Sequence, residues 1–389
     1  MTFAAPRAAP AFTGPPGQED MPWLLTPGPL TTSQTVKLAM MADWGSRDRE
    51  FLQMVWTVRK NLLRLAHCGP DYDCVLMQGS GTFAMEAALG SFCPAVETKT
   101  LVMANGIYGA RAAAILKRIR RRHLKIEKEE GTPLAPGDVA ALLDADPAIS
   151  HVWVVHCETA TGIINPLQEI ARVVKRRNRT LMVDAMSSFG ALPLDMETLA
   201  IDVMVSSSDK CLEGVPGFSY VLAKRQLLME AKDKCHSLVL DLFAQWKSLD
   251  TNGYFRFTPP THAVVALHEA LKEHHREGGV AARGNRYART AQALLTGMRE
   301  MGFTPLLGDT EAGPLIQTFL GPKDPNFDVE YFQEALRTRG FIIYQGPLSH
   351  PHSFSISTIG HTDEKVVRLL LTALRYVLRD MNVTNLAPA

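Results

Sequence analysis

Between residues 73 and 224 the chain alternates short, continuously apolar runs with stretches of helical periodicity, and this alternation limits the possible folds more than any other feature. "CVLMQ" (74–78) precedes the helical "FAMEAALGSF". "TLVMAN" (100–105) precedes "GARAAAILKRI", and "HVWVVHCE" (151–158) precedes "NPLQEIARVVKRRN". "TLMVDAM" (180–186), "DVMVSSS" (202–208) and "FSYVLAK" (218–224) are further runs of the same kind. A strand apolar on both sides cannot face water, so helices must cover both faces of the sheet it joins. The expectation is an α/β fold around a mostly parallel sheet. Asn165 is expected to cap the helix that follows it, with Pro166 in its first turn.

Beyond about residue 260 the periodicity changes. A long helical region to 301 is followed by "PLIQTFL", a helix at "DVEYFQEALRTRG", the strands "FIIYQG" and "SFSISTIG", and a closing helix. This predicts a smaller α+β domain at 286–389 after a large domain at 21–285. The first 20 residues, rich in Ala, Pro and Gly, are expected to form a disordered extension.

Composition excludes several classes of function. The 389 residues carry a formal net charge of +1, which argues against a nucleic acid or membrane partner. The basic runs "KRIRRRHLK" and "VVKRRNR" lack interleaved aromatics and read as solvated helix ends. No run of 18 apolar residues is present, and six cysteines without a CxxC pair fit reduced thiols and a cytoplasmic location. His274 and His275 are adjacent and point to different faces of a helix, so no metal site is expected there.

Four features fall at strand ends, where open parallel sheets bind ligands. "QGSGT" (78–82) is a glycine turn opening a helix: a cradle for phosphate, or an ordinary strand-to-helix turn. Asp184 ends an apolar strand, where a carboxylate needs a cationic partner or caps the next helix. "HCETATG" places Glu158, Thr159 and Thr161 at another strand end. Lys210 lies among small and turn-forming residues in "SSSDKCLEGVPG". Phosphate cradle, carboxylate and lysine together suit pyridoxal 5'-phosphate. Its phosphate would rest on the turn, its ring nitrogen on the carboxylate, and its aldehyde on the lysine amine as a Schiff base.

These stretches, with "LLTPGPLTTSQTV", "DWGSRDREF", "ANGIYGAR", "VDAMSSFGALPLD" and "FRFTPPTH", resemble the class V aminotransferases of fold type I. Within that class they are most similar to the 2-aminoethylphosphonate–pyruvate transaminases, over residues 24 to 380. The resemblance implies a mainly parallel seven-stranded sheet in the large domain, and transfer of an amino group from a small amine to pyruvate or a similar oxo acid. It implies that Lys210 forms the Schiff base, Asp184 pairs with the ring nitrogen, and Ser80, Gly81 and Thr82 hold the phosphate. Tyr108 would stack on the ring and Thr159 would bond its ring oxygen. Thr258 would reach the phosphate of a neighbouring subunit, which implies a homodimer with sites at the interface.

One departure stands out. Where the family reads F-R-I-G-x-I-G, this chain reads "FSISTIG", so Ser355 replaces the arginine expected to grip the substrate's anion and Ser357 replaces a glycine. Arg47 and Arg256 are the alternative anion ligands, or structural ion-pair partners. The departure also leaves open a pyridoxal-phosphate lyase, or another non-transaminating enzyme on the same scaffold.

Overall fold

The computed structural model describes residues 13–15, 19–94, 98–347 and 349–388. Most of the extension expected at 1–20 lies outside the described residues. Seven strands form the central sheet: β1 (Tyr72–Gln78), β2 (Thr100–Ala104), β3 (His123–Glu127), β4 (His151–Val155), β5 (Thr180–Asp184), β6 (Val203–Ser207) and β7 (Phe218–Lys224). Their order across the sheet is β1-β7-β6-β5-β4-β2-β3. All neighbours pair in parallel except β7, which runs antiparallel to both β1 and β6. β3 emerges from the run taken above as a solvated helix end. It is an edge strand bonded to β2 alone and half exposed, so it carries His, Lys and Glu where interior strands carry Val and Met.

Helices cover the sheet. The first, α1 (Arg49–Leu65), buries Phe51, Val55, Val58 and Leu62 along one stripe. The helices α2 (Gly81–Phe92), α3 (Ile107–Arg118) and α4 (Leu167–Arg176) leave the strand ends at Ser80, Gly106 and Pro166. Asn165 does not cap α4. Pro166 occupies that position, and the Asn165 amide is buried, donating to Val155 O at 2.8 Å and accepting from Asn105 Nδ2 at 2.9 Å. A side chain able to cap its own helix instead satisfies the backbone where β4 ends, a demand set by tertiary approach.

The long helical region is two helices, α5 (Thr261–Glu277) and α6 (Gly279–Met301), separated at Gly278, whose φ of 113° suits glycine. The boundary expected near residue 285 falls inside α6. Beyond it, β8 (Ile316–Phe319) and β9 (Tyr344–Gln345) flank β10 (Phe354–Ser357) in an antiparallel sheet. The final helix α7 (Glu364–Asp380) packs on α6. Phe303, Phe319, Phe332 and Phe354 fill the core of this region, and Trp23 and Leu25 join it. The residues Trp23–Leu24 pair in parallel with Phe341–Ile342, tying the start of the described chain to its last quarter.

Candidate active site

Six strands of the central sheet, β1 to β6, end on one side, and a cavity of about 250 Å³ lies at the ends of β1, β2, β4 and β6. Ser80, Gly81, Thr82, Tyr108, Thr159 and Lys210 all line it, so the structure brings together six residues singled out from sequence.

Asp184 ends β5, between β4 and β6, and is 2% exposed. Its Oδ1 accepts the Met186 N–H at 2.9 Å and so closes a tight turn; no helix follows before β6, so the helix-capping alternative does not hold. Its Oδ2 is buried without any hydrogen-bond partner. Burial pushes this carboxyl up to about 6, against the Met186 N–H and the charges of Arg111 and Lys210. A buried carboxylate oxygen with no partner is costly unless a ligand supplies one. A protonated ring nitrogen is such a partner.

Lys210 lies in the turn after β6. Burial lowers its pKa, while Asp209, Cys211 and Asp184 act in the opposite direction. Its Nζ donates to Pro27 O, from the segment that follows Trp23–Leu24. The next residue, Gly28, has φ 127°, and a Cβ there would lie 2.4 Å from Lys210 Nζ. Only glycine lets this segment cross the amine so closely.

At the opposite wall, Ser80 is the N-cap residue of α2 but makes no side-chain capping bond. Ser80, Gly81 and Thr82 at this helix N-terminus line the cavity, the arrangement that anion binding requires, while the Phe83 N–H is taken by Ser80 O. Tyr108 stands in the first turn of α3. Glu158, fully buried, accepts from Tyr108 N at 3.2 Å and Gly109 N at 3.4 Å, capping this helix from another strand end. Burial, then the charge of Asp184, pushes the Glu158 carboxyl up to about 7. Thr159 Oγ1 bonds Ser187 Oγ at 2.6 Å, both buried.

Arg47, Arg256 and Thr258 do not reach this cavity. They line a second one, of about 380 Å³, with Tyr254 and Phe257. Arg256 donates to Leu238 O at 2.7 Å and lies 5.2 Å from the Phe257 ring, while Arg47 lies 5.4 Å from the Tyr254 ring. Gln78, two residues before Ser80, donates its side-chain amide to Thr258 O, so the end of β1 touches the lining of the second cavity. Ser355, 5% exposed on β10, bonds Thr318 Oγ1 at 2.8 Å. His274 bonds Gly190 O at 2.6 Å.

Sequence reasoning did not single out Arg111, Met186 or Asp209, which also line the first cavity, nor Pro27 and Gly28. Arg111 stands three residues after Tyr108, the spacing that puts both on one face of α3, so helical period alone was a usable signal. A larger cavity of about 710 Å³ lies elsewhere, beside Glu213, Glu277, Arg283 and Arg286. Two of its carboxylates are ion-paired, Glu213 with Arg286 at 2.6 Å and Glu277 with Arg283 at 2.6 Å, while Glu273 accepts from Ser33 Oγ and Asp363 caps α7.

The family model described as "Aminotransferase class-V" matches residues 38–369. The chain is 50% identical over 368 residues to the 2-aminoethylphosphonate–pyruvate transaminase of Rhizobium meliloti, covering 94% of this chain and 96% of that one. It is 46% identical to the 2-aminoethylphosphonate–pyruvate transaminase 1 of Paraburkholderia xenovorans, over 94% of each. The crystal structure of pyridoxamine–pyruvate aminotransferase from Mesorhizobium loti is 25% identical, with a TM-score of 0.85 over 94% of both chains. The helix-covered sheet, the buried lysine and aspartate at its strand ends and this near full-length kinship converge: the chain belongs to the class V aminotransferases of fold type I, with pyridoxal 5'-phosphate as its cofactor.

Proposed function

We propose that this enzyme moves the amino group of 2-aminoethylphosphonate, or of a closely related small amine, to pyruvate or a similar oxo acid. The observation that carries the chemistry is the partnerless Oδ2 of Asp184 in electrostatic reach of Lys210. The names of the relatives at 50% and 46% identity support the donor and the acceptor. No observation favours the lyase reading.

Ser80, Gly81 and Thr82 would hold the cofactor's phosphate, Tyr108 would cover its ring, Thr159 would bond its ring oxygen and Asp184 would hold a proton on its ring nitrogen. When bound, the cofactor supplies an aldehyde and a ring that withdraws electrons from the carbon bearing the amine. Burial favours the neutral amine of Lys210, which would be the cofactor's covalent anchor, and its Nζ would take a proton from that carbon and return it nearby. Asp184 must stay ionised to do its work, and a cationic ring nitrogen held by its carboxylate would draw its pKa down from the raised value.

Ser355 offers a hydroxyl, already bonded to Thr318, and no charge. The substrate's anionic group therefore falls to Arg47 and Arg256. Neither pairs with a carboxylate among the described residues, and both sit with Thr258 in the second cavity. We assign these three residues to the active site of a second copy of the chain in a homodimer. The exposed Phe83, Leu238 and Phe257 support this, since large apolar side chains gathered near a polar site suit an interface.

The test is stoichiometric. Given 2-aminoethylphosphonate and no oxo acid, the holoenzyme should consume one equivalent of donor per site and stop. Added pyruvate should restart it and yield alanine. Sustained turnover without an oxo acid would overturn the proposal.

A further inference from the structure

Arg111 has no role in the scheme above, yet it lines the same cavity as Lys210. One of its nitrogens donates to Thr82 Oγ1 at 3.1 Å, and its guanidinium lies 4.6 Å from the centre of the Tyr108 ring. Among the described residues no carboxylate pairs with it. A guanidinium carries five N–H donors in a fixed fork, and the contact with Thr82 uses one. The remaining donors sit beside the N-terminus of α2.

The charge around the cavity makes these donors matter. Asp184, Asp209 and Glu158 place three carboxyl groups around it, against two cations, Lys210 and Arg111. A phosphate monoester brings nearly two further negative charges, and general attraction cannot hold it in such surroundings. It needs donors aimed at its oxygens. Helix dipoles contribute fractions of a charge, whereas a guanidinium contributes a full one in bidentate geometry.

We propose that Arg111 is an anion ligand of this site. It bonds the cofactor's phosphate alongside the Ser80–Thr82 turn, while the stacked face of the same guanidinium holds Tyr108 against the cofactor ring. The inference rests on the turn being the phosphate seat. Glu158 contributes indirectly, because by capping α3 it fixes the helix that delivers both Tyr108 and Arg111.

The test compares two probes on cofactor-free protein, by fluorescence or absorbance titration: pyridoxal 5'-phosphate and pyridoxal, which lacks the phosphate. Wild type should bind the phosphorylated probe far more tightly. Equal affinity for both probes would show that the turn is not a phosphate seat, and would remove the basis of the proposal. In Arg111→Gln the Kd of the phosphorylated probe should rise by about 10- to 100-fold, the range of a lost charge-assisted contact, while that of pyridoxal stays within about threefold. Arg111→Lys should recover part of the loss, since it restores charge without the fork. Equal weakening of both probes would mean that Arg111 only supports the fold. Unchanged affinity for both, with a raised KM for 2-aminoethylphosphonate alone, would mean that it binds the substrate's anion instead. Either result overturns the proposal.

Discussion

Asp184 ends a strand paired on both sides, so only its own loop or a ligand can answer its side chain. The loop answers one oxygen and leaves the other bare. Asp184→Asn should keep the shape and still bind the cofactor, but the neutral amide cannot hold a ring proton by charge. A fall in kcat of about 10²- to 10³-fold is expected, with cofactor content by absorbance near that of wild type. An unchanged kcat would place the ring nitrogen elsewhere. Glu158 makes a different prediction. Its folded pKa of about 7 lies above the ordinary 4.5, so the fold favours the protonated acid. The resulting stability is fully present below about pH 4.5 and is lost as the pH rises to about 7, on the order of 3 kcal/mol. Asp184, raised to about 6, acts in the same direction. Cofactor-free Glu158→Gln should therefore lose less stability than wild type between pH 5 and pH 8 in urea unfolding. Identical losses would remove Glu158 from the account.

The loop between β4 and α4 shows how an element is set by what it touches. Its ribbon pairs Cys157–Glu158 with Ile163–Ile164 and turns at Gly162, with φ 87°. A Cβ on Gly162 would lie 2.3 Å from Ile316 O on β8. Gly162→Ala strains the turn and pushes the two regions apart where they meet. A loss of at least about 2 kcal/mol in urea unfolding is expected, and a change below about 0.5 kcal/mol would show that the contact yields freely. The sequence carried no sign of this contact. Interior strands were legible because burial on both faces forces unbroken apolar runs, as in "LVM" of β2 and "LMV" of β5. The edge strand β3 was not, because one free edge and half exposure permit the charges of "HLKIE". Helix α1 was overlooked although Phe51, Val55, Val58 and Leu62 repeat at helical spacing. At the site, Lys210, Asp184 and the turn at 80–82 were legible because their chemistry demands those residue types at strand ends. Pro27 and Gly28 act through a crossing that no local pattern encodes.

At the scale of the whole molecule, the proposed role of the second cavity makes a prediction about assembly. If Arg47, Arg256 and Thr258 serve a partner's site, each active site draws on two chains. Lys210→Ala and a Thr258→Ala/Arg256→Ala variant should each be nearly inactive alone. Unfolded together and refolded, half of the dimers are mixed, and each mixed dimer holds one site free of substitutions. About a quarter of wild-type activity should return. Mixed dimers without recovered activity would confine each site to a single chain. The strand pairing of Trp23–Leu24 with Phe341–Ile342 bears on a different stage of the enzyme's life. That pairing anchors the segment whose Pro27 carbonyl meets the Lys210 amine, and a nascent chain emerges from the ribosome N-terminus first. The sheet, the phosphate turn and the lysine are all synthesised before the strand that anchors this segment over them. The pocket is therefore completed only after residues 341–342 have been made, and loading of the cofactor into its finished form follows that point.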